Sequence, residues 1–159
     1  MRSSYYGFIF AIDFGATGLG LATAVGAAIG RSDRTVVAVV GDGGLMMSLP
    51  EIDTAVRYRL PMVIVVMNDR AYGSEVHHLR VRGLPDREAY FETPSLAAVA
   101  EALGARGLTV ESEADFEALE RALTDLNGPL LVDASINGDV LADWFRVFAL
   151  RAASSGRWT

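Results

Sequence analysis

The chain has 159 residues, 51% of them hydrophobic, and a net charge of −6 at pH 7. This length is enough for one ordinary domain, and the acidic balance argues against nucleic-acid binding, which needs a basic face. The sequence has no cysteine and no lysine, which excludes disulfides, thiolate metal sites, Schiff-base catalysis and a P-loop lysine on this chain. No membrane-length apolar run or signal-peptide pattern is seen, so we expect a cytoplasmic protein without membrane contact.

The first part of the chain predicts a strand-like segment, a helix and a buried strand. Residues 7–14 fit a strand or an extended entry segment. Residues 15–30 begin with a glycine-rich turn and continue as a helix of small residues, a surface suited to packing against another copy or a partner domain. The continuous β-branched run at 35–40 is typical of a strand buried on both faces.

The middle of the chain predicts a helix, a second buried strand and a long functional loop. A helix over 48–59 would start with Ser48 as N-cap and Glu51 closing a capping box. The apolar run 61–68 predicts another fully buried strand. Residues 69–94 are too long for a mere connector, and we expect a functional loop that contains a short helix.

The last part of the chain continues the alternation of helices and strands. The predicted elements are a helix at 95–103, a strand at 106–110, a helix at 113–126, a strand at 130–135 and a C-terminal helix at 141–150. Such alternation predicts an α/β fold, a three-layer domain with a mostly parallel central sheet and helices on both faces. We expect a single domain over 1–159, with its core at about 13–135 and a tail at 137–159.

The stretch G-D-G-G at 41–44 places Asp42 at the end of a buried strand, where an unpartnered carboxylate is costly. Asn68 ends the next strand, 26 residues later, and the carboxyl ends of parallel strands share one edge of a sheet. Carboxylate and amide oxygens suit Mg²⁺, which commonly also binds substrate phosphates. Glycines let backbone N–H groups face an anion at a helix start. This pattern indicates a magnesium ion held by Asp42 and a diphosphate held by the ion.

These motifs carry a family resemblance. G-D-G, followed after 26 residues by N-D-R-A-Y-G, and the earlier G-L-G-L-A-T-A-V-G-A-A-I-G resemble the C-terminal domain of acetolactate synthase and benzoylformate decarboxylase. The resemblance covers roughly residues 13–135, and Asp69 departs from it because the family often has a second asparagine there. It implies thiamine diphosphate and Mg²⁺ as cofactors. It also implies a lyase or transferase that decarboxylates a 2-oxoacid and then protonates or ligates the product carbanion.

The resemblance also assigns roles to residues. The implied magnesium ligands are the side chains of Asp42 and Asn68 and the main-chain carbonyl of Arg70. Leu19 would lie under the cofactor and force its bent shape, and the Thr17 carbonyl would accept from the aminopyrimidine. The full set of implied cofactor-binding residues is Thr17, Gly18, Leu19, Gly41, Asp42, Gly43, Gly44, Asn68, Tyr72 and Gly73. Candidates to face substrate are Ser74, Glu75, His77 and His78.

The resemblance further implies that this chain is incomplete as an enzyme. In the resembling enzymes the glutamate that activates the cofactor belongs to a separate pyrimidine-binding domain, and Glu51 is better explained as a helix cap. We therefore expect a homodimer or another complex in which a pyrimidine-binding domain or subunit completes the site. Two alternatives stay open: an NAD(P)-binding Rossmann oxidoreductase domain with Asp42 on a ribose hydroxyl, and a non-catalytic regulatory subunit that keeps the fold.

Overall fold

A computed structural model describes residues 7–11, 15–141, 143 and 145 of the chain. Helices and strands alternate along this part as α1 (Leu19–Gly30), β1 (Val36–Gly41), α2 (Asp42–Met46), α3 (Pro50–Arg57), β2 (Met62–Asn68), α4 (Gly73–Val81), α5 (Leu96–Ala102), β3 (Arg106–Val110), α6 (Phe116–Thr124) and β4 (Leu130–Ser135). Short 3-10 turns occupy Arg87–Ala89 and Glu113–Asp115. No helix in this described part is long and apolar enough to cross a membrane.

The four strands form one parallel sheet in the order β1-β2-β4-β3. Val36 of β1 lies opposite Met62 of β2, and Val63 of β2 lies opposite Leu130 of β4. Four β2 residues are buried, Met62, Val63, Ile64 and Val66, while Met67 near the strand end is 39% exposed, so the strand predicted as fully buried is buried except towards its end. All four strands predicted from apolar runs are found, within one residue of the predicted limits.

Helices cover both faces of the sheet. On one face, α1, α3 and α5 pack against β1, β2 and β4 through the buried side chains Leu21, Ile52, Ile64, Leu96, Ala100 and Leu131. On the other face, α6 packs against β2, β3 and β4 through Val63, Leu108, Leu119, Ala122, Leu130 and Val132. The predicted three-layer α/β fold with a parallel sheet is therefore confirmed.

The capping box predicted at the start of α3 is wrong. Ser48 Oγ instead donates a hydrogen bond backwards to the Gly44 carbonyl at 3.1 Å, so its hydroxyl serves the preceding helix α2. The N-cap position of α3 is Leu49, which has no side-chain hydrogen bond to the helix, and Pro50 begins the helix. The cause is the short helix α2, which follows β1 directly and which the glycines at 43 and 44 concealed in the sequence.

Three further expectations concern less regular parts of the chain. The long segment 69–94 contains the expected short helix, α4. Residues 7–11 form no strand, and residues 12–14 of the predicted segment lie outside the described residues. The predicted C-terminal helix at 141–150 lies outside the described residues except at 141, 143 and 145.

Candidate functional site

The ends of three parallel strands meet at one edge of the sheet. Gly41, the last residue of β1, lies opposite Met67 in β2, so Asp42 and Asn68 follow at the same level. Asn68 in turn lies opposite Ser135 at the end of β4. The expectation that Asp42 and Asn68 share an edge of the sheet is thus confirmed by the strand register.

An open cleft of about 560 Å³ lies at this edge. It is bounded by the turn before α1, the β1–α2 junction, the start of α4 and the segment that follows β4. Residues with predicted roles that line it are Thr17, Gly18, Gly41, Asp42, Gly43, Gly44, Tyr72, Gly73, Ser74, Glu75 and His77. The cleft therefore collects most of the predicted site from three separate parts of the chain, and the segment after β4 adds a fourth wall.

Asp42 is the buried acid of the cleft. The residue is only 1% exposed, and its Oδ2 atom has no hydrogen-bond partner among the described residues. Burial raises the pKa of the Asp42 carboxyl, and the charge of Asp69 adds to the rise, while the backbone amides of Gly43 and Arg70 act in the opposite direction. A buried carboxylate oxygen without a partner, close to a second acid, has the electrostatics of a cation site.

Asp69 is that second acid, and sequence reasoning missed it. The residue lines the same cleft as Asp42, and its charge acts on the Asp42 carboxyl. Its side chain lies against the Cα atoms of Gly73 and Gly138, since a methyl group built on Gly73 would overlap Asp69 Oδ2. The signal that could have found it was the carboxylate one position beyond the strand end, directly beside Asn68.

Asn68 and Arg70 make different contacts from those expected of metal ligands. Asn68 Nδ2 donates to Asp133 Oδ1 at 2.8 Å, and Asn68 Oδ1 accepts from the Arg70 amide at 3.2 Å. The Arg70 carbonyl accepts from the Phe91 amide at 3.1 Å. Neither Asn68 nor Arg70 is among the residues that line the cleft. Their polar groups are thus engaged within the protein.

Ala71, the next residue, lines the cleft instead. An antiparallel bridge pairs Ala71 with Tyr90, and its hydrogen bonds run from the neighbouring residues, Phe91 N–H to Arg70 O and Tyr72 N–H to Ala89 O. In such a pair the N–H and C=O of Ala71 itself point away from Tyr90. Ala71 is 5% exposed and lines the cleft together with Asp42 and Asp69, and its main-chain oxygen is not used by Tyr90.

The predicted phosphate-binding glycines lie in the first turn of α2. A Cβ atom at Gly43 would lie 2.5 Å from Tyr72 Cε1, so the ring of Tyr72 occupies the space that a side chain would need. Tyr72 packs in turn against Phe91, with ring centroids 4.9 Å apart. This close approach explains a glycine at position 43 and brings the start of α4 next to the start of α2.

The chain matches the family model described as "Thiamine pyrophosphate enzyme, C-terminal TPP binding domain" over residues 3–134. It belongs to this family. Membership confirms the resemblance drawn from the G-D-G and N-D-R-A-Y-G motifs, and it decides against the dinucleotide-binding oxidoreductase alternative.

Named relatives and solved structures agree with the family. Acetolactate synthase isozyme 2 large subunit from Escherichia coli is 33% identical over 135 residues, covering 82% of this chain and 24% of that protein. Acetolactate synthase from Bacillus subtilis is 32% identical over 120 residues, covering 76% of this chain and 21% of that protein. The crystal structure of benzoylformate decarboxylase from Polynucleobacter necessarius is similar, with a TM-score of 0.73 and 26% identity. The match covers 80% of this chain and 25% of that protein. The chain thus spans about a quarter of the length of these proteins.

The glycine-rich turn of this thiamine pyrophosphate-binding domain borders the cleft before α1. Gly18 has a φ of 97°, a conformation that favours glycine, and a Cβ there would lie 3.1 Å from Met47 Cβ. Thr17 and Gly18 line the cleft, and Gly44 lies close to both. Leu19 is 37% exposed and begins α1, but it is not among the residues lining the cleft.

The candidates to face substrate lie on the first turns of α4. Ser74 and Glu75 are exposed and line the cleft, as does the half-buried His77. His78 does not line the cleft. Both histidine rings lie beside Phe145, with ring centroids 5.8 Å away for His77 and 4.8 Å away for His78, so the cleft lining alone distinguishes them. The structure therefore separates the two neighbouring histidines, which the sequence could not do.

Glu51 lies in the first turn of α3, half-buried and outside the set of residues that line the cleft. Glu51 therefore neither closes a capping box nor lines the cleft.

Among the described residues, no three His, Cys, Asp or Glu side chains cluster as a metal site. A metal at this edge would accordingly depend on two carboxylates together with main-chain, water or phosphate oxygens.

Proposed function

We propose that this domain holds thiamine diphosphate through Mg²⁺ at the edge of the sheet, as part of an enzyme that acts on 2-oxoacids. The observation that supports this most directly is the buried Asp42 Oδ2 atom, which lacks a hydrogen-bond partner among the described residues. A divalent cation would neutralise Asp42 and Asp69 and attract a diphosphate to the same place. The names of the relatives point to acetolactate synthesis or 2-oxoacid decarboxylation.

The ligand set proposed here differs from the one implied by resemblance alone. We assign the metal to Asp42, Asp69 and the main-chain oxygen of Ala71, because these three residues line the cleft. Asn68 and Arg70 are used internally, by Asp133 and by Phe91 respectively. Mg²⁺ commonly completes its octahedron with water and phosphate oxygens, so three protein ligands are enough.

The remaining residues of the cleft would position the cofactor and the substrate. The amides of Gly43 and Gly44 and the Tyr72–Gly73 backbone would face the diphosphate, and Thr17 and Gly18 would border the rest of the cofactor. Bound thiamine diphosphate supplies the electron sink for decarboxylation of a 2-oxoacid. His77, which is half-buried and lines the cleft, is the α4 side chain best placed to exchange a proton with a substrate group.

Calorimetric titration of the purified chain with thiamine diphosphate tests the ligand set. Binding should require Mg²⁺, and Asp69→Ala should weaken it strongly, while Asp69→Asn, which keeps an oxygen ligand, should weaken it less. Glu88→Ala, at an exposed acid away from the cleft, is the matched control. Unchanged affinity in Asp69→Ala would return the ligand role to Asn68.

We further propose that the chain alone does not turn over substrate, because its activating glutamate is expected on a pyrimidine-binding domain of another segment or subunit. A decarboxylation assay with pyruvate and benzoylformate, the cofactor and Mg²⁺ should show binding without turnover. Robust turnover that disappears in Glu51→Gln would contradict this and would make Glu51 the activating acid.

A further inference from the structure

A second buried acid lies behind the candidate site. Asp133 of β4 is 5% exposed, and both of its carboxylate oxygens accept hydrogen bonds. Oδ1 accepts from Asn68 Nδ2 at 2.8 Å, and Oδ2 accepts from the Leu96 amide at the start of α5 at 3.0 Å. Parallel pairing of β4 with β2 uses main-chain groups, so the sheet itself does not require an acid at this position.

The contact with Asp133 determines which way the Asn68 amide faces. A carboxylate only accepts, so the NH₂ group of Asn68 must face it and the carbonyl oxygen must point to the other side. There Asn68 Oδ1 accepts from the Arg70 amide at 3.2 Å. Arg70 has a φ of 57°, a left-handed conformation that is uncommon for a residue with a side chain and needs support from its surroundings.

The turn supported in this way contains the proposed metal ligands. Asp69 and Ala71 flank Arg70 directly, and both line the cleft, whereas Asn68 does not. We propose that Asp133 is a positioning residue: it orients Asn68, which holds the Asp69–Ala71 turn in the shape that presents its oxygens to the metal. This inference rests on the proposed metal site, but the chain of hydrogen bonds can be tested without any ligand.

A purely structural role, as an anchor for α5, is the competing explanation. The start of α5 has another side-chain contact, because Ser95 Oγ accepts from the Ala98 amide at 3.2 Å. Ser95→Ala therefore weakens the same helix terminus without touching Asn68. It is the matched control for Asp133→Asn, in which one carboxylate oxygen becomes an NH₂ group that cannot accept, so the side chain can no longer accept from both donors through separate oxygens.

The first experiment uses NMR, without any ligand, to measure amide exchange in the Asp69–Ala71 turn. In Asp133→Asn we expect amide exchange at Arg70 to accelerate at least about tenfold beyond any change at sheet amides such as Ile64, and the Asn68 side-chain amide resonances to shift. Ser95→Ala should leave both signals as in the parent protein. If Asp133→Asn changes Arg70 no more than Ile64, or if Ser95→Ala has the same local effect, the positioning role is wrong.

The ligand arm measures Mg²⁺-dependent binding of thiamine diphosphate by calorimetry. Residues that orient metal ligands typically contribute about 10–100-fold to metal affinity, and we expect a loss in that range for Asp133→Asn. Because Asp133 would act through Asn68, the double variant Asp133→Asn/Asn68→Ala should lose little more than Asn68→Ala alone. Additive losses would overturn the coupling. If even the parent protein fails to bind, the proposed function fails, while the exchange measurements still decide the role of Asp133.

Discussion

Two buried aspartates at the same end of the sheet differ in how their oxygens are used. Both oxygens of Asp133 accept hydrogen bonds from N–H groups of the protein. Asp42 is buried even more deeply, yet its Oδ2 atom has no such partner among the described residues, and a second acid lies near it. Satisfied buried acids hold a structure together, whereas an unsatisfied one at the wall of a cleft implies a group that the protein itself does not supply.

The largest expected effect is loss of metal-dependent binding in Asp42→Asn. Removing one partner of a buried charge pair typically costs about 3–5 kcal/mol, which corresponds to a dissociation constant raised by about 100-fold or more. Calorimetry with thiamine diphosphate and Mg²⁺ measures this. The ligand-free variant should nevertheless melt at a higher temperature than the parent protein, because it no longer buries a carboxylate. Parent-like affinity in Asp42→Asn would remove Asp42 from the site.

Asp133→Ala should lower the stability of the protein, whereas Asp42→Asn should raise it. The substitution leaves the Asn68 amide and the Leu96 amide without their acceptors, at about 1–3 kcal/mol for each buried unsatisfied group. We expect unfolding free energy to fall by about 2–4 kcal/mol in urea titrations. Asp53→Ala is the control, since Asp53 only forms an exposed ion pair with Arg57 at 2.8 Å, and its stability should hardly change. A stable Asp133→Ala protein would contradict the contrast between the two acids.

The sequence predicted the strands and the position of Asp42 at the edge of the sheet, because both depend on local pattern. Apolar β-branched runs mark the strands, and an aspartate between glycines after such a run is conspicuous. Burial of β1 on both faces was wrong, however, because Val37 and Val39 at this edge strand are 59% and 66% exposed. The ligand set was less predictable, because Asn68, Asp69, Arg70 and Ala71 are consecutive and only the backbone turn decides which of them face the cleft. Asp133 was read simply as part of a strand, since its partner Asn68 lies 65 residues away along the chain.

The contrast between the acids also predicts a pH dependence. The pKa of Asp42 is raised in the folded protein, first by burial and then by Asp69. The folded state therefore binds a proton more readily than the unfolded chain, and this stabilising contribution is complete below the unfolded pKa of about 3.9. It is lost as pH rises through the raised folded pKa. When a chelator has removed the metal, the difference in unfolding free energy that favours Asp42→Asn over the parent protein should therefore grow from about pH 4 to pH 7. A difference that does not change with pH would show that the pKa of Asp42 is not raised in the folded protein.

The smallest expected effect concerns the turn between the two acids. Arg70 and Arg59 are the non-glycine residues with positive φ in the described part of the chain, at 57° and 49°. Glycine relieves this conformation but adds freedom to the unfolded chain, so each Arg→Gly variant should gain less than about 1 kcal/mol of stability. Arg59 lies between α3 and β2 and does not line the cleft, which makes Arg59→Gly the matched control. Both variants should keep parental cofactor affinity, because Arg70 contributes to the turn only through its amide and carbonyl, which glycine retains. A drop in affinity confined to Arg70→Gly would show that the exposed Arg70 side chain contacts the diphosphate or substrate, and the cleft would then require a cationic group in addition to its metal.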